Sequence, residues 1–422
     1  MVLTGIRLAA TLKVKCFVIP SNFWLICMND YLPYGRHHLS DDDIQAVVDT
    51  LRSGTLTQGP KILEFEQHVA AYVGARYAVA VSSGTTALHL CCVVADIGSS
   101  DLVVTSPITF VASANCAAYV GAKATFADID PGTLNLSPDA LRDVLSAQRQ
   151  AYRHAAVIPV HFAGKACDMD RIDAIAKAFD AIVIEDACHA FGSTYANGKR
   201  VGCCDKSLMT VFSFHPVKAI AAGEGGMITT NDEKIYRRLL RLRSHGIHKG
   251  DDPLLRKDLA FDGDQPNPWY YEMQELGYNF RITDIQCALA LSQFRKLDRF
   301  LERRAELAQK YRLALAGHHH IRVAQPNGPG ESANHLFPIR VDFDAIGMTR
   351  RALMQHLKEN HVGSQVHYLP VYLHPYYAAQ GFSKADYPHA EGYYAQALSI
   401  PLYFDLTDAQ QEHVIKTLGQ FA

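Results

Sequence analysis

Short apolar runs alternate with amphipathic stretches through the first half of the chain. The runs are typical of buried strands, and the stretches between them repeat their apolar residues at helical spacing. Strands that alternate with helices over short connections predict an α/β fold, with a mainly parallel sheet covered by helices on both faces. The predicted strands are Tyr77–Val81, Leu102–Thr105, Thr125–Ala127, Ala155–Val160, Ala181–Glu185 and Leu208–Phe212.

Helices are predicted before and between these strands. Ser40 is a helix-capping residue, and acidic residues follow it in the first turn. The apolar stripe of this first helix, which we expect to face the core, consists of Ile44, Val47, Val48 and Leu51. The other predicted helices are Lys61–Val73, Thr85–Ala95, Val111–Tyr119 and Met169–Phe179.

The pattern changes from Arg281 onward. It predicts one long helix, Asp284–Leu315, and then a smaller α+β unit. That unit contains the predicted strands His335–Val341 and Val362–His367 and the predicted helices Thr349–Asn360 and Asp408–Leu418. We therefore divide the chain into an extension (1–27), a large domain (28–280), and the long helix with a small C-terminal domain (281–422). The stretch 248–277 is polar and rich in proline and aromatic residues, without clear periodicity.

The first 27 residues differ from the rest of the chain. They contain Arg7, Lys13 and Lys15 and no acidic residue, which leaves a signal peptide or a targeting segment open. Because Pro20 and Asn22 interrupt the apolar run, we favour a loose extension or an upstream start-codon artefact. No run reaches the roughly 18 apolar residues that a membrane-spanning helix needs.

Composition narrows the class of protein. Of the 422 residues, 48% are hydrophobic and 20% are charged, which suits a sizeable buried core. The formal net charge of -2 gives no reason to expect nucleic acid or a membrane as partner. The ten cysteines form no CxxC pair, so we expect free thiols in a reducing cytoplasm and no metal site.

Polar residues follow three of the predicted strands. Ser82–Thr86 comes after the first strand, Asp186–His189 after the fifth, and Ser213–Lys218 after the sixth. In open α/β sheets, ligands bind at the carboxyl ends of the strands. We therefore expect these three segments to converge on one edge of the sheet.

The converging residues suit pyridoxal phosphate. That cofactor needs a lysine that forms an imine, a carboxylate at the pyridine nitrogen, donors for the phosphate and a flat side chain on the ring. The respective candidates are Lys218, Asp186, Ser83–Thr85 with Ser213, and Phe110. Each alone has an ordinary interpretation, as a surface lysine, a helix cap, a hydrogen-bonded serine or a core aromatic. The ordered set favours the cofactor site.

From about Tyr31 to the C-terminus, the chain resembles the sugar aminotransferases of the DegT/DnrJ/EryC1/StrS family. The resemblance implies a fold type I aminotransferase with a mainly parallel seven-stranded sheet, pyridoxal 5'-phosphate as cofactor, and active sites at a homodimer interface. The blocks that carry it are Leu56–Pro60, Ser82–Leu88, Ser106–Ala112, Glu185–Ala190, Ser213–Lys218, Gly223–Gly226, Arg243–Gly246 and Asn279–Arg281.

The resemblance also implies a role for each matching position. Lys218 would bind the cofactor as a Schiff base and shuttle the proton, and Asp186 would pair with the pyridine nitrogen. His189 would contact the ring hydroxyl or stack nearby, and Phe110 would stack on the ring. The phosphate would be held by Gly84, Thr85, Ser213 and, from the other subunit, Asn279. The nucleotide-sugar cleft would be lined by Tyr34, His245, Arg281, His367 and Tyr368.

Within the family, the chain is most similar to the aminotransferases of the pseudaminic acid pathway. The cues are Ser213–His215 before the Pro-Val-Lys sequence, Gln365–Tyr372 and Pro268–Glu272. This similarity implies that L-glutamate aminates C4 of a UDP-linked 4-keto-6-deoxy-N-acetylhexosamine. The products would be UDP-4-amino-4,6-dideoxy-N-acetyl-β-L-altrosamine and 2-oxoglutarate. Amination of another nucleotide-linked keto sugar at C4 stays open.

Three rival functions are weaker. Sugar dehydratases of the same family use pyridoxamine phosphate and have histidine where this chain has Lys218. A cofactor-binding regulator would need a DNA-binding module, and residues 1–27 are too short for one with its own core. A purely structural protein gives no reason for Asp, Ser and Lys at successive strand ends.

Overall fold

The computed structural model describes residues 31–250 and 252–421, so the predicted extension 1–27 lies outside the described residues. Seven strands form the main sheet. They are β1 (Tyr77–Val81), β2 (Leu102–Thr105), β3 (Lys123–Phe126), β4 (Ala155–Ile158), β5 (Ala181–Asp186), β6 (Met209–Ser213) and β7 (Gly226–Thr230). Their order is β1–β7–β6–β5–β4–β2–β3. β7 is antiparallel to both neighbours, and β6, β5, β4, β2 and β3 pair in parallel.

Helices accompany these strands along the chain. They are α1 (Asp41–Arg52), α2 (Pro60–Val73), α3 (Gly84–Val94), α4 (Ala112–Tyr119), α5 (Pro138–Gln148), α6 (Met169–Ala178) and α7 (Glu233–Leu242). Three apolar clusters pack against the sheet, the first through α3 and α4, the second through α2 and the third through α5 and α6. Because each strand is buried on both faces, the mainly parallel sheet and its helical cover are confirmed.

Short elements connect the sheet to the last third of the chain. They are β8 (Ile247–His248), α8 (Lys257–Ala260), β9 (Phe261–Asp262), β10 (Gln265–Pro266) and β11 (Glu272–Met273). β8 pairs with β11, and β9 pairs with β10, which makes two small ribbons. Several large apolar side chains here are exposed, among them Trp269 at 72% and Leu276 at 76%.

A second, smaller sheet forms the C-terminal part. The helices of this part are α9 (Asp284–Phe294), α10 (Leu297–Leu315), α11 (Arg350–Glu359), α12 (Pro375–Ala378), α13 (Pro388–Gln396) and α14 (Asp408–Leu418). The strands are β12 (Ile321–Val323), β13 (Phe337–Val341) and β14 (Ala397–Ile400), in that antiparallel order. α10, α11 and α14 share an apolar core with this sheet. The domain boundary at residue 280 stays a prediction.

The predicted single helix Asp284–Leu315 is wrong, because the chain breaks between α9 and α10. Lys296 leaves the helical conformation with φ -108° and ψ 1°. Its ammonium donates to the hydroxyl of Ser40 at 2.7 Å and contacts the carboxylates of Asp42 at 2.8 Å and Asp43 at 2.7 Å. These long-range bonds tie the break to the start of α1, which helical periodicity alone cannot reveal.

Two further expectations need correction. Val362–His367 is not a strand, because it makes only single bridges, at Val362 to Leu32 and at Gln365 to Ser399. The predicted apolar stripe of α1 does not face the core of the described chain, since Ile44 is 55% and Leu51 is 53% exposed. Within residues 31–250 and 252–421, no helix is long and apolar enough to span a bilayer.

Candidate active site

The first glycine of β7 brings two strand ends together. Gly226 pairs with Val81 at the end of β1 and with Ser213 at the end of β6. A Cβ atom at Gly226 would overlap the carbonyl of Ser83, so only glycine lets the loop before α3 cross here. As a result the N-terminus of α3 lies beside Ser213.

The start of α3 is suited to an anionic group. Ser83 caps the helix by accepting the N–H of Thr86 at 3.1 Å. The N–H groups of Gly84 and Thr85 have no acceptor among the described residues, and the helix dipole favours an anion at this end. A Cβ at Gly84 would lie 3.0 Å from both Cys188 Sγ and Ser213 Cβ. Glycine therefore keeps the start of α3 clear of a side chain that would crowd Cys188 and Ser213.

Asp186 ends β5 as a buried carboxylate. Its Oδ2 accepts the hydroxyl of Ser113 at 2.6 Å, and its Oδ1 accepts the N–H of Cys188 at 3.1 Å. Two donors hold the carboxylate in one orientation, and a carboxylate has further lone pairs for another donor. Asp186 can therefore bind a protonated ring nitrogen.

Lys218 lies in the turn that follows β6. Its N–H donates to the carbonyl of His215 at 2.9 Å, which fixes the turn. Burial lowers the pKa of its ammonium, and the nearby groups of Cys188 and Asp186 oppose that shift. A lowered pKa increases the share of neutral amine, which is the form that attacks a carbonyl carbon.

His189 is held as a neutral ring. Its Nδ1 accepts the N–H of Ala163 at 3.3 Å, so the proton sits on Nε2, which donates to the hydroxyl of Tyr368 at 3.1 Å. Burial, followed by the charges of Lys218 and His367, lowers its pKa well below the usual value. The Tyr368 hydroxyl, whose pKa is raised by burial, keeps its own proton available to donate.

Two more imidazoles surround the lysine. His367 bonds through Nδ1 to the hydroxyl of Ser399 at 2.9 Å, and burial lowers its pKa to about 3. The His335 ring centroid lies 4.4 Å from that of His189, and its buried Nδ1 has no partner among the described residues. Burial also lowers the pKa of His335 well below the usual value. The pocket therefore holds three neutral rings beside Lys218.

Two aromatic residues predicted for the site lie at its rim. The exposed ring of Phe110 is centred 6.5 Å from that of Tyr368, which leaves its face free to stack on a planar group. The Tyr34 ring lies 5.1 Å from His367. Both predicted residues are thus brought to the Lys218 pocket.

Three predicted residues are not brought to that pocket. Ser244 pairs with Asn279, and the N–H of His245 donates to the carbonyl of Tyr278 at 2.8 Å. Among the described residues, none of the three, His245, Asn279 and Arg281, makes a hydrogen bond to the Lys218 group, by which we mean Lys218, Asp186, His189, His367 and Tyr368. The adjoining Phe280 does accept the N–H of Ser82, so this segment runs beside the start of α3.

Sequence reasoning missed two residues of the pocket. Ser113, the donor to Asp186, lies one residue beyond the Ser106–Ala112 block, on the first turn of α4. Four-residue spacing from Thr109, which bonds to it at 2.8 Å, was an available signal. His335 carried no such signal, because only tertiary packing through Ala163 brings it to His189.

The half-buried lysine, the strand-end carboxylate and the free N–H groups at a helix N-terminus together define a pyridoxal phosphate-dependent enzyme. A model of the DegT/DnrJ/EryC1/StrS aminotransferase family matches residues 37–419. The spore coat polysaccharide biosynthesis protein SpsC of Bacillus subtilis is 39% identical over 393 residues, covering 92% of this chain and 97% of SpsC. The chain belongs to this family and is a pyridoxal phosphate-dependent sugar aminotransferase.

Solved structures of sugar aminotransferases have the same fold as this chain. PseC of Helicobacter pylori, an aminotransferase involved in the biosynthesis of pseudoaminic acid, superposes with a TM-score of 0.82 at 28% identity, covering 93% of this chain and 99% of PseC. The PLP form of Spr1654, a sugar aminotransferase of Streptococcus pneumoniae, gives 0.81 at 29% identity, covering 93% of this chain and 98% of that one. The predicted fold type I architecture is therefore confirmed.

The neutral imidazoles predict how stability depends on pH. Below pH ~6.5 the unfolded chain protonates His367 and the folded chain does not, so stability rises with pH in this range. Between pH ~6 and ~5, each such histidine contributes a slope of about 1.4 kcal/mol per pH unit. We expect the His367→Gln holoenzyme to show a slope smaller by roughly that amount in urea unfolding. The exposed His319→Gln serves as control, and an unchanged slope in His367→Gln would contradict the neutral ring.

Proposed function

We propose that the enzyme transfers the amino group of L-glutamate to C4 of a UDP-linked 4-keto-6-deoxy-N-acetylhexosamine. The products are UDP-4-amino-4,6-dideoxy-N-acetyl-β-L-altrosamine and 2-oxoglutarate, as in pseudaminic acid biosynthesis. The observation that carries amino transfer is the Lys218 amine with a lowered pKa beside Asp186. The likeness to PseC over nearly its whole length supports the particular sugar.

Asp186 and Lys218 have separate tasks in the proposed reaction. Bound pyridoxal phosphate supplies a ring that accepts electrons when a proton leaves the neighbouring carbon. Asp186, oriented by Ser113, keeps the ring nitrogen protonated and so sustains that capacity. Lys218 Nζ accepts the proton from the α-carbon of L-glutamate and, in the second half of the cycle, delivers a proton to C4 of the sugar.

The other pocket residues bind and orient. The N–H groups of Gly84 and Thr85 and the hydroxyl of Ser213 hold the cofactor phosphate. Phe110 stacks on one face of the ring. The Nε2–H of His189 donates a hydrogen bond to the ring hydroxyl of the cofactor, either directly or through the hydroxyl of Tyr368. That hydroxyl lies 3.1 Å from Nε2.

The sugar contacts are assigned to the rim of the pocket. Tyr34, His367 and Tyr368 form one wall of the sugar cleft, and the ring of Tyr34 lies beside that of His367. His245 and Arg281, which lie outside the Lys218 pocket of their own chain, are proposed to contact the nucleotide from a different segment. A neutral His367, whose pKa is about 3, can accept or donate hydrogen bonds to sugar hydroxyls without adding charge beside Lys218.

We propose that the enzyme works as a homodimer that shares its active sites. Large apolar side chains exposed on and beside α1 and α2 support this arrangement, since another chain can cover them. They are Leu39, Ile44, Leu51, Leu56 and Leu63. Asn279, which is exposed and makes no bond to the Lys218 group of its own chain, then contributes to the phosphate site of the partner.

A second candidate is C4 amination of another nucleotide-linked keto sugar. The observation that favours it is the higher identity to SpsC, a spore coat polysaccharide biosynthesis protein, at 39% against 28% for PseC. Specificity in such pockets depends on a few side chains near the sugar, and overall likeness does not determine those.

A panel of substrates distinguishes the two candidates. We expect the holoenzyme with L-glutamate to release 2-oxoglutarate fastest when the acceptor is the UDP-linked 4-keto-6-deoxy-N-acetylhexosamine. A dTDP-linked 4-keto sugar without the acetamido group should be slower by about tenfold or more, since a lost polar contact costs roughly 1–3 kcal/mol. Coupled detection of 2-oxoglutarate gives the rate, and proton NMR of the product gives the configuration at C4.

The panel needs a chemical control and has a clear negative outcome. Lys218→Ala should release no 2-oxoglutarate above background with any acceptor while still binding the cofactor non-covalently. Equal or faster turnover of the dTDP-linked sugar would favour the second candidate. Turnover with simple keto acids alone would overturn both.

Subunit mixing tests the shared active site. We expect Lys218→Ala and Asn279→Ala to be separately impaired, and a mixture of exchanged subunits to regain activity. A random mixture of a symmetric dimer contains about one quarter intact sites, which sets the expected recovery. Lys218→Ala mixed with Asp186→Ala is the matched control, because both residues belong to one subunit. Absence of recovery in the first mixture would place Asn279 outside the partner's site.

A further inference from the structure

A second cleft lies behind the turn that holds His189. Its volume is about 660 Å³, and one wall is the face of α10 that carries Asp298, Glu302 and Arg312. The opposite wall is formed by Lys165 and the loop from Pro326 to Glu331. Nothing in the proposed reaction uses this cleft.

The cleft is polarised along α10. Asp298 lies at one end, where it accepts a hydrogen bond from Tyr72 at 3.5 Å, and Arg200 lies over the Tyr72 ring at 4.2 Å. Glu302 and Arg312 are ten residues apart, or about 15 Å along a helix. The two acidic residues of α10 that line the cleft, Asp298 and Glu302, therefore lie well away from Arg312.

The other end holds two cations that lack a carboxylate partner among the described residues. Lys165 Nζ donates to the carbonyl of Pro326 at 3.0 Å, and Arg312 donates to the side-chain oxygen of Asn334 at 3.3 Å. The buried Nε of Arg312 has no acceptor in the described part of the chain. The carboxylate of Asp130 is near enough to raise the pKa of Lys165, but it forms no ion pair with that lysine. It accepts hydrogen bonds from the N–H and the hydroxyl of Thr133 instead.

Burial and mutual repulsion act on these two cations. Burial lowers the pKa of Lys165, and the charge of Arg312 lowers it further. Burial also lowers the pKa of Arg312. Two cations on opposite walls at one end of the cleft create a positive potential that an anion with two charges would neutralise.

We propose that this end of the cleft is a second ligand site, which binds a phosphoryl group through Lys165 and Arg312. The phosphoryl group is either free phosphate or part of a larger organic phosphate, for which the cavity volume leaves room. Arg312 supplies the planar donors of its guanidinium, and Lys165 supplies a point charge.

The site is connected to the catalytic pocket through one turn. Ala163 lines the cleft, and its N–H donates to Nδ1 of His189 while its carbonyl accepts the N–H of His335 at 2.9 Å. Gly164 is packed so closely that a Cβ there would lie 2.8 Å from the N of Asn334. A ligand on Lys165 and Arg312 would therefore contact the first segment directly and the second through Arg312, which donates to Asn334.

Calorimetry on the holoenzyme tests the site, because bound cofactor already fills its own phosphate position. The probes are inorganic phosphate, UMP and UDP. We expect Lys165→Gln and Arg312→Gln each to weaken phosphate binding by about tenfold or more, as loss of a charge-assisted bond costs roughly 1.5–3 kcal/mol. Arg312→Lys should retain most of the affinity. Lys234→Gln, at an exposed lysine on α7, is the matched control and should bind like the native enzyme.

The outcomes separate the sources of the phosphoryl group. Because UMP and UDP can also bind the proposed sugar cleft, only the share of their binding that both glutamine variants lose belongs to the second site. A loss larger than that for phosphate supports an organic phosphate, and an equal loss supports free phosphate. Absence of phosphate binding, or binding that neither glutamine variant weakens, overturns the proposal. Amino transfer by the variants without added phosphate should stay within about twofold of the native rate, which shows that they are folded.

Discussion

The missing side chain at Gly226 is the constraint on which the site depends. β7 runs against its neighbours, so its first residue lies at the edge where β1 and β6 end. Since a Cβ there would overlap the Ser83 carbonyl, glycine is what lets the α3 N-terminus approach Ser213. That approach sets the N–H groups of Gly84 and Thr85 beside Ser213, and the paired ends of β5 and β6 add Asp186 and the turn that carries Lys218.

Burial then sets the chemistry of the pocket. It lowers the pKa of Lys218 and keeps His189, His335 and His367 neutral, so the lysine is surrounded by polar groups without competing cations. Hydrogen bonds from backbone groups decide the finer details, as when the N–H of Ala163 fixes the proton of His189 on Nε2. The pocket therefore sets the Asp186 carboxylate near the reacting amine, while its three imidazoles add no charge there.

The local pattern predicted most of the sheet and the centre of the site. Strands buried on both faces give continuous apolar runs, which is why β1 and β2 were predicted to the residue. Lys218, Asp186 and Gly84 were found because strand ends in such a sheet converge. β7 (Gly226–Thr230) was missed because no helix separates it from β6. It follows a glycine-rich block directly, so the alternation of strand and helix that revealed the other strands is absent there.

Other features depend on contacts that no local pattern records. The break at Lys296 rests on bonds to the start of α1, some 250 residues away. The stripe of α1 has the right spacing but is exposed at Ile44 and Leu51, since periodicity shows an apolar face and not what covers it. His335 reaches the pocket only through Ala163, and the Lys165–Arg312 site joins segments from both halves of the chain.

The central claim is that Lys218 is the lysine that binds pyridoxal phosphate. Borohydride reduction of the holoenzyme, followed by proteolysis and mass spectrometry, locates that lysine directly. The account predicts the phosphopyridoxyl mass on the peptide containing Lys218, and its loss in Lys218→Arg. Modification of another lysine, such as Lys165, with Lys218 left unmodified would contradict it.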